Sequence, residues 1–249
     1  MPLPTTDLQL FTVRTPRGID AQVYIRPDTN DAATLHSTMW TPDGQLHDEY
    51  GLREQRLSGW ALDIGAHIGS VTFALALDNP DLHVIAVEAV PENVDALNAT
   101  TAHLGMADRV HVVGEAAGPA GLANAEVLYG PYNPPGLAIP AEHAQQARYI
   151  GNLFRHHGPE GVGLVVPVVS LAALLERFGV EEVSFTKIDC EGCEWTFLAS
   201  PAVTRLRYIV GEWHDRPASA LRELLEPTHE MTVDKDDGGI GMFRAVLRP

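Results

Sequence analysis

Residues 58–98 read SGWALDIGAHIGSVTFALALDNPDLHVIAVEAVPENVDALN, and this stretch decides the fold. An apolar run, Trp60-Ala61-Leu62, ends in Asp63 and is followed by Gly65 and Gly69. A helical pattern runs from Ser70 to Leu77, and a second apolar run, Val84 to Val87, ends in Glu88. Strand, glycine turn, helix, strand and acid in that order open a doubly wound α/β sheet. The glycines let backbone come close to a ligand at the head of the first helix. Glu88 stands where an acid hydrogen-bonds a ribose diol in such sheets, so the expected ligand is a nucleoside.

The glycine spacing selects among nucleosides. A dinucleotide site uses G-x-G-x-x-G, whose close glycines admit a pyrophosphate. This chain has D-x-G-x-x-x-G, with an acid two residues before the first glycine. Asp63 would repel a pyrophosphate and suits a cationic amino-acid tail, which points to S-adenosylmethionine. On this reading Gly65, Ala66, His67 and Gly69 wrap the methionine tail, and Asp63 hydrogen-bonds its ammonium. Glu88, with Ala89 beside it, takes the ribose, and Glu115 faces the adenine amino group. Asp63 also reads as an acid that stabilises a turn, and Glu115 as a solvated loop acid.

Working outward, LQLFTVR (8–14) and IDAQVYI (19–25) have strand composition around a Pro16-Arg17-Gly18 turn. Residues 29–57 read as helical pieces ending in HDEYGLREQRL. Residues 1–57 are thus expected to be a hairpin and helical extension that caps the fold or walls the ligand site. Residues 58–249 are the ligand-binding domain. Within it, 118–165 reads as an irregular insertion, holding GPYNPPG and a helix from Ala141 to Phe154. Long irregular segments in compact domains commonly serve as lids or mobile loops.

The chain has 249 residues and a net charge of −16, from 33 acids against 17 bases, with no basic run. Binding to phosphate backbones draws on clustered Lys and Arg, so this balance argues against nucleic acid and anionic membranes as partners. The N-terminus has no charged region leading an apolar core, so no secretory signal is read. No apolar run approaches the ~20 residues of a membrane helix, and a cytoplasmic protein is expected. The two cysteines, Cys190 and Cys193, lie in DCEGCE. No second ligand pair completes a zinc site, and the expectation is a pair of small buried residues in a reducing compartment.

Four stretches resemble the FkbM family of S-adenosylmethionine-dependent methyltransferases: LDIGAHIGSVTFALA (62–76), VEAVPENVDAL (87–97), TKIDCEGCEWTFL (186–198) and YIVGEWH (208–214). The third is the specific one; DEYGL (48–52) is similar to an N-terminal motif of that family. The resemblance is read over about residues 45–249. It implies a Rossmann-like, seven-stranded, mostly parallel sheet with helices on both faces and an antiparallel strand from the last hairpin. It implies methyl transfer, most often to a hydroxyl of a sugar or a secondary metabolite.

Asp189 ends the fourth strand, and Glu212 and His214 end its neighbour, at the crevice where open α/β sheets bind ligands. These three are the expected catalytic residues, with His214 the natural base because its ordinary pKa is near 6.5. Asp189 also reads as an acid capping the next helix. Glu191 and Glu194 crowd the same turn. The same cluster admits a Mg²⁺ site, which the reading does not favour. His156 and His157 in the insertion are a second choice of base. Tyr129, Tyr132 and Tyr149 are pocket-lining candidates. The expected function is O-methylation of a small-molecule hydroxyl. The alternatives are an S-adenosylmethionine-binding protein without catalysis, and a methyltransferase acting on a peptide or protein.

Overall fold

The computed structural model describes residues 8–27, 29, 31–40, 46–129, 148–151 and 162–249. The chain opens with an antiparallel hairpin, β1 (Gln9–Arg14) and β2 (Asp20–Ile25), followed by a short helix α1 (Asp31–Leu35). A 3-10 turn, Leu52–Glu54, leads into the central sheet. Then come β3 (Gly59–Ile64), α2 (Ser70–Asp78), β4 (Leu82–Val87), α3 (Pro91–His103) and β5 (Val110–Val113). These are the elements expected from the 58–98 stretch and the residues that follow it.

The insertion differs from its reading. Strands β6 (Ala116–Ala117), β7 (Asn124–Tyr129), β8 (Arg148–Gly151) and β9 (Val162–Val169) form a second sheet in the order β6-β9-β7-β8. Arg148–Gly151, expected within a helix, pairs in parallel with β7. Sheet pairing overrides the weak helix propensity of a short segment. The GPYNPPG stretch (130–136), Tyr132, His156 and His157 lie outside the described residues.

The chain then returns through α4 (Leu171–Arg177) to β10 (Phe185–Ile188), α5 (Glu194–Phe197), β11 (Tyr208–His214) and α6 (Ala218–Leu225). It ends in the hairpin β12 (His229–Asp236) and β13 (Ile240–Leu247). The main sheet has the order β12-β13-β11-β10-β3-β4-β5. Strands β11, β10, β3, β4 and β5 are parallel, while β13 runs antiparallel to β11, and β12 to β13. This is the Rossmann-like sheet of class I methyltransferases. The chain leaves β3 toward β4 and comes back to β10 on the other side. Adjacent crossovers therefore part above the C-terminal ends of β3 and β10, where open sheets hold ligands.

Two apolar layers cover the sheet. Leu62, Ile64, Ile85, Val87 and Ile188 face Leu171, Leu174 and Leu175 of α4, Trp195 of α5 and Leu221 of α6. Ala61, Val84, Ala86, Phe185 and Val210 face α2, α3 and the N-terminal extension. The sequence of α2, SVTFALALD, has no polar face, and nearly all of it is buried. A helix apolar all round must be covered on its outer side too. The extension does this with Val13, Val23, Ile25, Leu35 and Met39. It also ties down the end of α2, where Asp78 accepts hydrogen bonds from the Thr15 hydroxyl (2.5 Å) and the Arg17 N–H (3.2 Å). The extension is thus part of the core rather than an appendage. Among the described residues no helix is long and apolar enough to cross a membrane.

Candidate active site

A pocket opens at the C-terminal ends of the parallel strands. Gly65, Ala66 and His67 line it from the turn after β3, Glu88 and Ala89 from the end of β4, and Glu115 from the end of β5. Asp189, Cys190 and Glu191 line it after β10, Glu212 from β11, and Glu49 and Tyr50 from the extension. Sequence-expected residues from five separate segments therefore meet at one cavity. Asp63, Gly69 and His214 stand behind this lining.

Gly65 (φ 77°) and Gly69 (φ 92°) both take left-handed backbone. A Cβ on Gly65 would collide with the Asp189 carbonyl, so this glycine lets the ends of β3 and β10 close on each other. His67 also has a positive φ, 52°, and turns its backbone N–H onto Glu88.

Glu88 is almost fully buried. Its Oε1 accepts from the Val90 N–H (2.8 Å) and Asn93 Nδ2 (3.2 Å), and its Oε2 from the His67 N–H (2.8 Å). Burial raises its pKa, and these three donors oppose the rise. The donors fix the carboxylate at the pocket wall, and each oxygen has a limited number of lone-pair directions left for a ribose hydroxyl.

Asp63 takes a different place from the expected one. It is fully buried, its Oδ2 accepts from the Thr72 hydroxyl (2.6 Å), and its Oδ1 lies 3.4 Å from Lys187 Nζ. It holds a lysine rather than facing the cavity. Glu115 does line the cavity, but both its oxygens accept from the Arg177 guanidinium (2.7 and 3.0 Å). The bidentate pair occupies the acid expected at the adenine amino group.

Lys187 is the cation at the centre of the site. Its Nζ donates to the Gly65 carbonyl (2.7 Å) and lies 3.9 Å from Asp189 Oδ2. Burial works against its charge, but Asp63 and Asp189 outweigh burial and raise its pKa. Tyr50 Oη donates to Asp189 Oδ2 (3.0 Å). Burial, followed by the charge of Asp189, pushes the Tyr50 phenol well up, so it remains a donor.

His214 departs most from its reading as a base. Its Nδ1 lies 3.1 Å from Glu194 Oε1, and its Nε2 lies 3.5 Å from Glu212 and 3.6 Å from Glu191. Burial favours the neutral ring, but Glu194, Glu212 and Glu191 together raise its pKa to about 11. The ring is an imidazolium and has no proton-accepting nitrogen. Glu194, fully buried, anchors it: Oε1 also accepts from the His214 N–H (2.6 Å), and Oε2 from the Gly192 N–H (3.0 Å).

Glu49 was missed. The DEYGL motif pointed to this place without a role for its acid. Partial desolvation in the pocket wall, then the charges of Glu212 and Asp189, raise its carboxyl pKa.

Cys190 and Cys193 also correct an expectation. They are joined as a disulfide rather than standing as free thiols. The turn between them, with Glu191 at φ 56° and Gly192 at φ 104°, brings their Cα atoms within 5.4 Å, inside bridging range. Sulfurs bonded to each other are not thiolate ligands, so Cys190, Cys193 and Glu194 do not form a metal site in this state. Asp189, Glu212 and His214 offer ligand atoms within 4.8 Å of one another. Lys187 and the imidazolium already supply positive charge there.

The model of the methyltransferase FkbM domain matches residues 63–232, more than half of the chain. The chain belongs to the FkbM methyltransferase family. Among curated proteins no sequence match is found. Solved structures similar to this FkbM chain include Mycoplasma capricolum TrmK with S-adenosylhomocysteine: 7% identity, TM-score 0.47, over 79% of this chain and 66% of that one. Thermus thermophilus RsmC, a 16S rRNA N2 G1207 methyltransferase with AdoMet and guanosine, aligns at 14% identity and TM-score 0.48, over 100% of this chain and 52% of that one. Precorrin-6y C5,15-methyltransferase from Geobacter metallireducens aligns at 13% identity and TM-score 0.39, over 81% and 87%. This chain thus spans about two thirds of the first and about half of the second.

Two expectations are corrected. The resemblance read over about residues 45–249 shrinks to 63–232, leaving DEYGL outside, and the similar solved structures named above are methyltransferases whose names do not include FkbM. The exclusion of nucleic acid is withdrawn: a 16S rRNA methyltransferase stands among the similar solved structures, and its substrate is that protein's own. A net charge of −16 does not by itself rule out such a partner. The FkbM domain is a methyltransferase family, and the glycine turn, the fixed Glu88 and the small apolar residues Ala89, Ala116 and Ala117 of the pocket fit S-adenosylmethionine.

Proposed function

We propose that this FkbM methyltransferase methylates a hydroxyl oxygen of a small molecule, a sugar or a secondary metabolite. One observation carries the reading: Glu49, Asp189 and Glu212, from three separate segments, line the cofactor pocket beside a buried lysine. An alcohol must lose a proton as it is methylated, and these carboxylates are the groups that accept one.

S-adenosylmethionine supplies a methyl already activated by a sulfonium. The protein's task is then alignment, which alone contributes up to roughly 7–11 kcal/mol in well-held cases. The His67 turn and Glu88 set the cofactor's place. Tyr50 donates to Asp189 and Lys187 stands 3.9 Å from it, which orients Asp189 as an acceptor for the substrate hydroxyl. Glu49, whose pKa is raised by burial in the pocket wall and by the charges of Glu212 and Asp189, takes the proton as general base. His214 as an imidazolium fixes Glu212 and Glu191 and takes no proton.

The test is single-turnover methylation of a panel of sugars, hydroxylated metabolites and RNA, read as S-adenosylhomocysteine formed. We expect turnover with a hydroxylated small molecule. Glu49→Gln should lower kcat by about 10²-fold or more, the scale of a lost general base, with cofactor affinity little changed. Methylation of RNA alone would overturn the acceptor class. An unchanged rate in Glu49→Gln with a loss in Asp189→Asn would move the base to Asp189.

A further inference from the structure

Arg26 leaves the N-terminal hairpin at the end of β2 and is buried to 1% exposure, far from any role assigned so far. Its backbone N–H and Nε donate to Asp31 Oδ2 (2.8 and 2.9 Å), and Nη2 donates to Asp31 Oδ1 (2.8 Å). That pair is local to the extension. A fourth bond is not: Nη2 also donates to Asn93 Oδ1 in α3, at 2.7 Å. Asn93 lines the cofactor pocket, and its Nδ2 donates to Glu88 Oε1.

An amide is two-faced, with its oxygen and nitrogen nearly equal in shape. A guanidinium only donates, so it forces the Asn93 oxygen toward itself and the amide nitrogen toward Glu88. Without Arg26 the amide is free to flip, and its oxygen would then face the Glu88 carboxylate. The same Asp31 reaches the other flank of Glu88, since His67 Nε2 lies 3.5 Å from Asp31 Oδ1 and the His67 N–H donates to Glu88 Oε2. Oε1 already takes two donors and Oε2 one.

We propose that Arg26 is a positioning residue for the cofactor's ribose, holding Glu88 in its binding orientation through Asn93. The proposal rests on the reading of Glu88 as the ribose acceptor. It makes the N-terminal extension a working part of the cofactor site, although this segment precedes the family domain.

A packing staple would affect every ligand alike, whereas a ribose-positioning chain acts only through the hydroxyls. The test is calorimetry on the full chain with S-adenosylhomocysteine and with its 2′,3′-dideoxy analogue. Arg26→Gln and Asn93→Leu should each weaken S-adenosylhomocysteine about tenfold, in keeping with loss of a bond to a charged group. Each should change the analogue by less than about twofold. The double variant should be no weaker than the worse single one, because both cut the same chain. Arg26→Lys, which keeps the charge and N–H donors but not the guanidinium fork, should recover part of the loss. Asn93→Leu leaves the Arg26–Asp31 pair intact and carries the test if Arg26→Gln does not fold. Equal losses for both ligands, or none, would overturn the proposal. Glu88→Ala separates the two readings: if it weakens neither ligand, the ribose reading itself is lost. If it weakens S-adenosylhomocysteine while Arg26 and Asn93 variants do not, only the positioning chain is lost.

Discussion

His67 and His214 titrate in opposite directions for the same kind of reason. Burial holds the His67 ring neutral, with a pKa of about 4, because the charges near it do not compensate. His214 is also buried, but three glutamates outweigh burial and hold it charged, with a pKa of about 11. The linkage signs follow from the ordinary value of 6.5. His67 binds its proton more weakly when folded, so its contribution is present above pH 6.5 and lost as pH falls toward 4. His214 binds more tightly when folded, so its contribution is present below pH 6.5 and lost as pH rises through 11. Stability should therefore peak near neutral pH. His67→Asn suits the left-handed backbone and removes the acid-side loss. We expect it to shrink the fall in Tm between pH 7 and 4.5 by about 4 °C or more, read by thermal melts. An unchanged acid limb would show that carboxylates alone set it.

At the scale of elements, the turn from Asp189 to Glu194 does several things in six residues. It presents Asp189 and Glu191 to the pocket, closes the Cys190–Cys193 disulfide, and starts α5 with the glutamate that grips His214. A bridge closing so short a loop constrains the unfolded chain only modestly, by about 2 kcal/mol in the chain-entropy model. Replacing both cysteines by serine should therefore cost about that much stability in urea. Because Glu191 holds a strained positive φ, the loss should fall harder on kcat than on cofactor affinity. A variant with full activity would show that hydrogen bonds alone hold the turn. Much of this element was legible beforehand: DCEGCE marked the acids and their crowding. The disulfide was not, since spacing alone does not say whether two sulfurs meet.

For the whole molecule, the consequence lies in α2. A helix with no polar face cannot end a fold, and the described residues of the N-terminal extension supply its outer layer. Val13, Val23, Ile25, Leu35 and Met39 are all buried there. At about 1.5–3 kcal/mol for each such side chain, their loss is comparable to the entire 5–15 kcal/mol that holds a domain folded. A chain starting at residue 58 should therefore not fold alone, despite holding the whole family domain. Circular dichroism and size-exclusion chromatography would check this, and a folded monomer of 58–249 that binds S-adenosylhomocysteine would sink it.

The sequence by itself determined the sheet, the cofactor class and which strand ends carry acids. Those follow from local signals: continuous apolar runs, glycines where φ must be positive, and acids at strand ends. What each side chain does there was decided only by the tertiary structure. Asp63 reads as a ligand to an ammonium until Lys187, 124 positions away in sequence, comes within 3.4 Å of it. His214 reads as a base until Glu191 and Glu194 of the neighbouring turn join Glu212 of its own strand around it. Glu49 has no evident role until Asp189 and Glu212 stand beside it, and Arg26 none until it meets Asn93. Charge state, amide orientation and burial are properties of neighbours, and those neighbours are assembled from segments far apart in the chain.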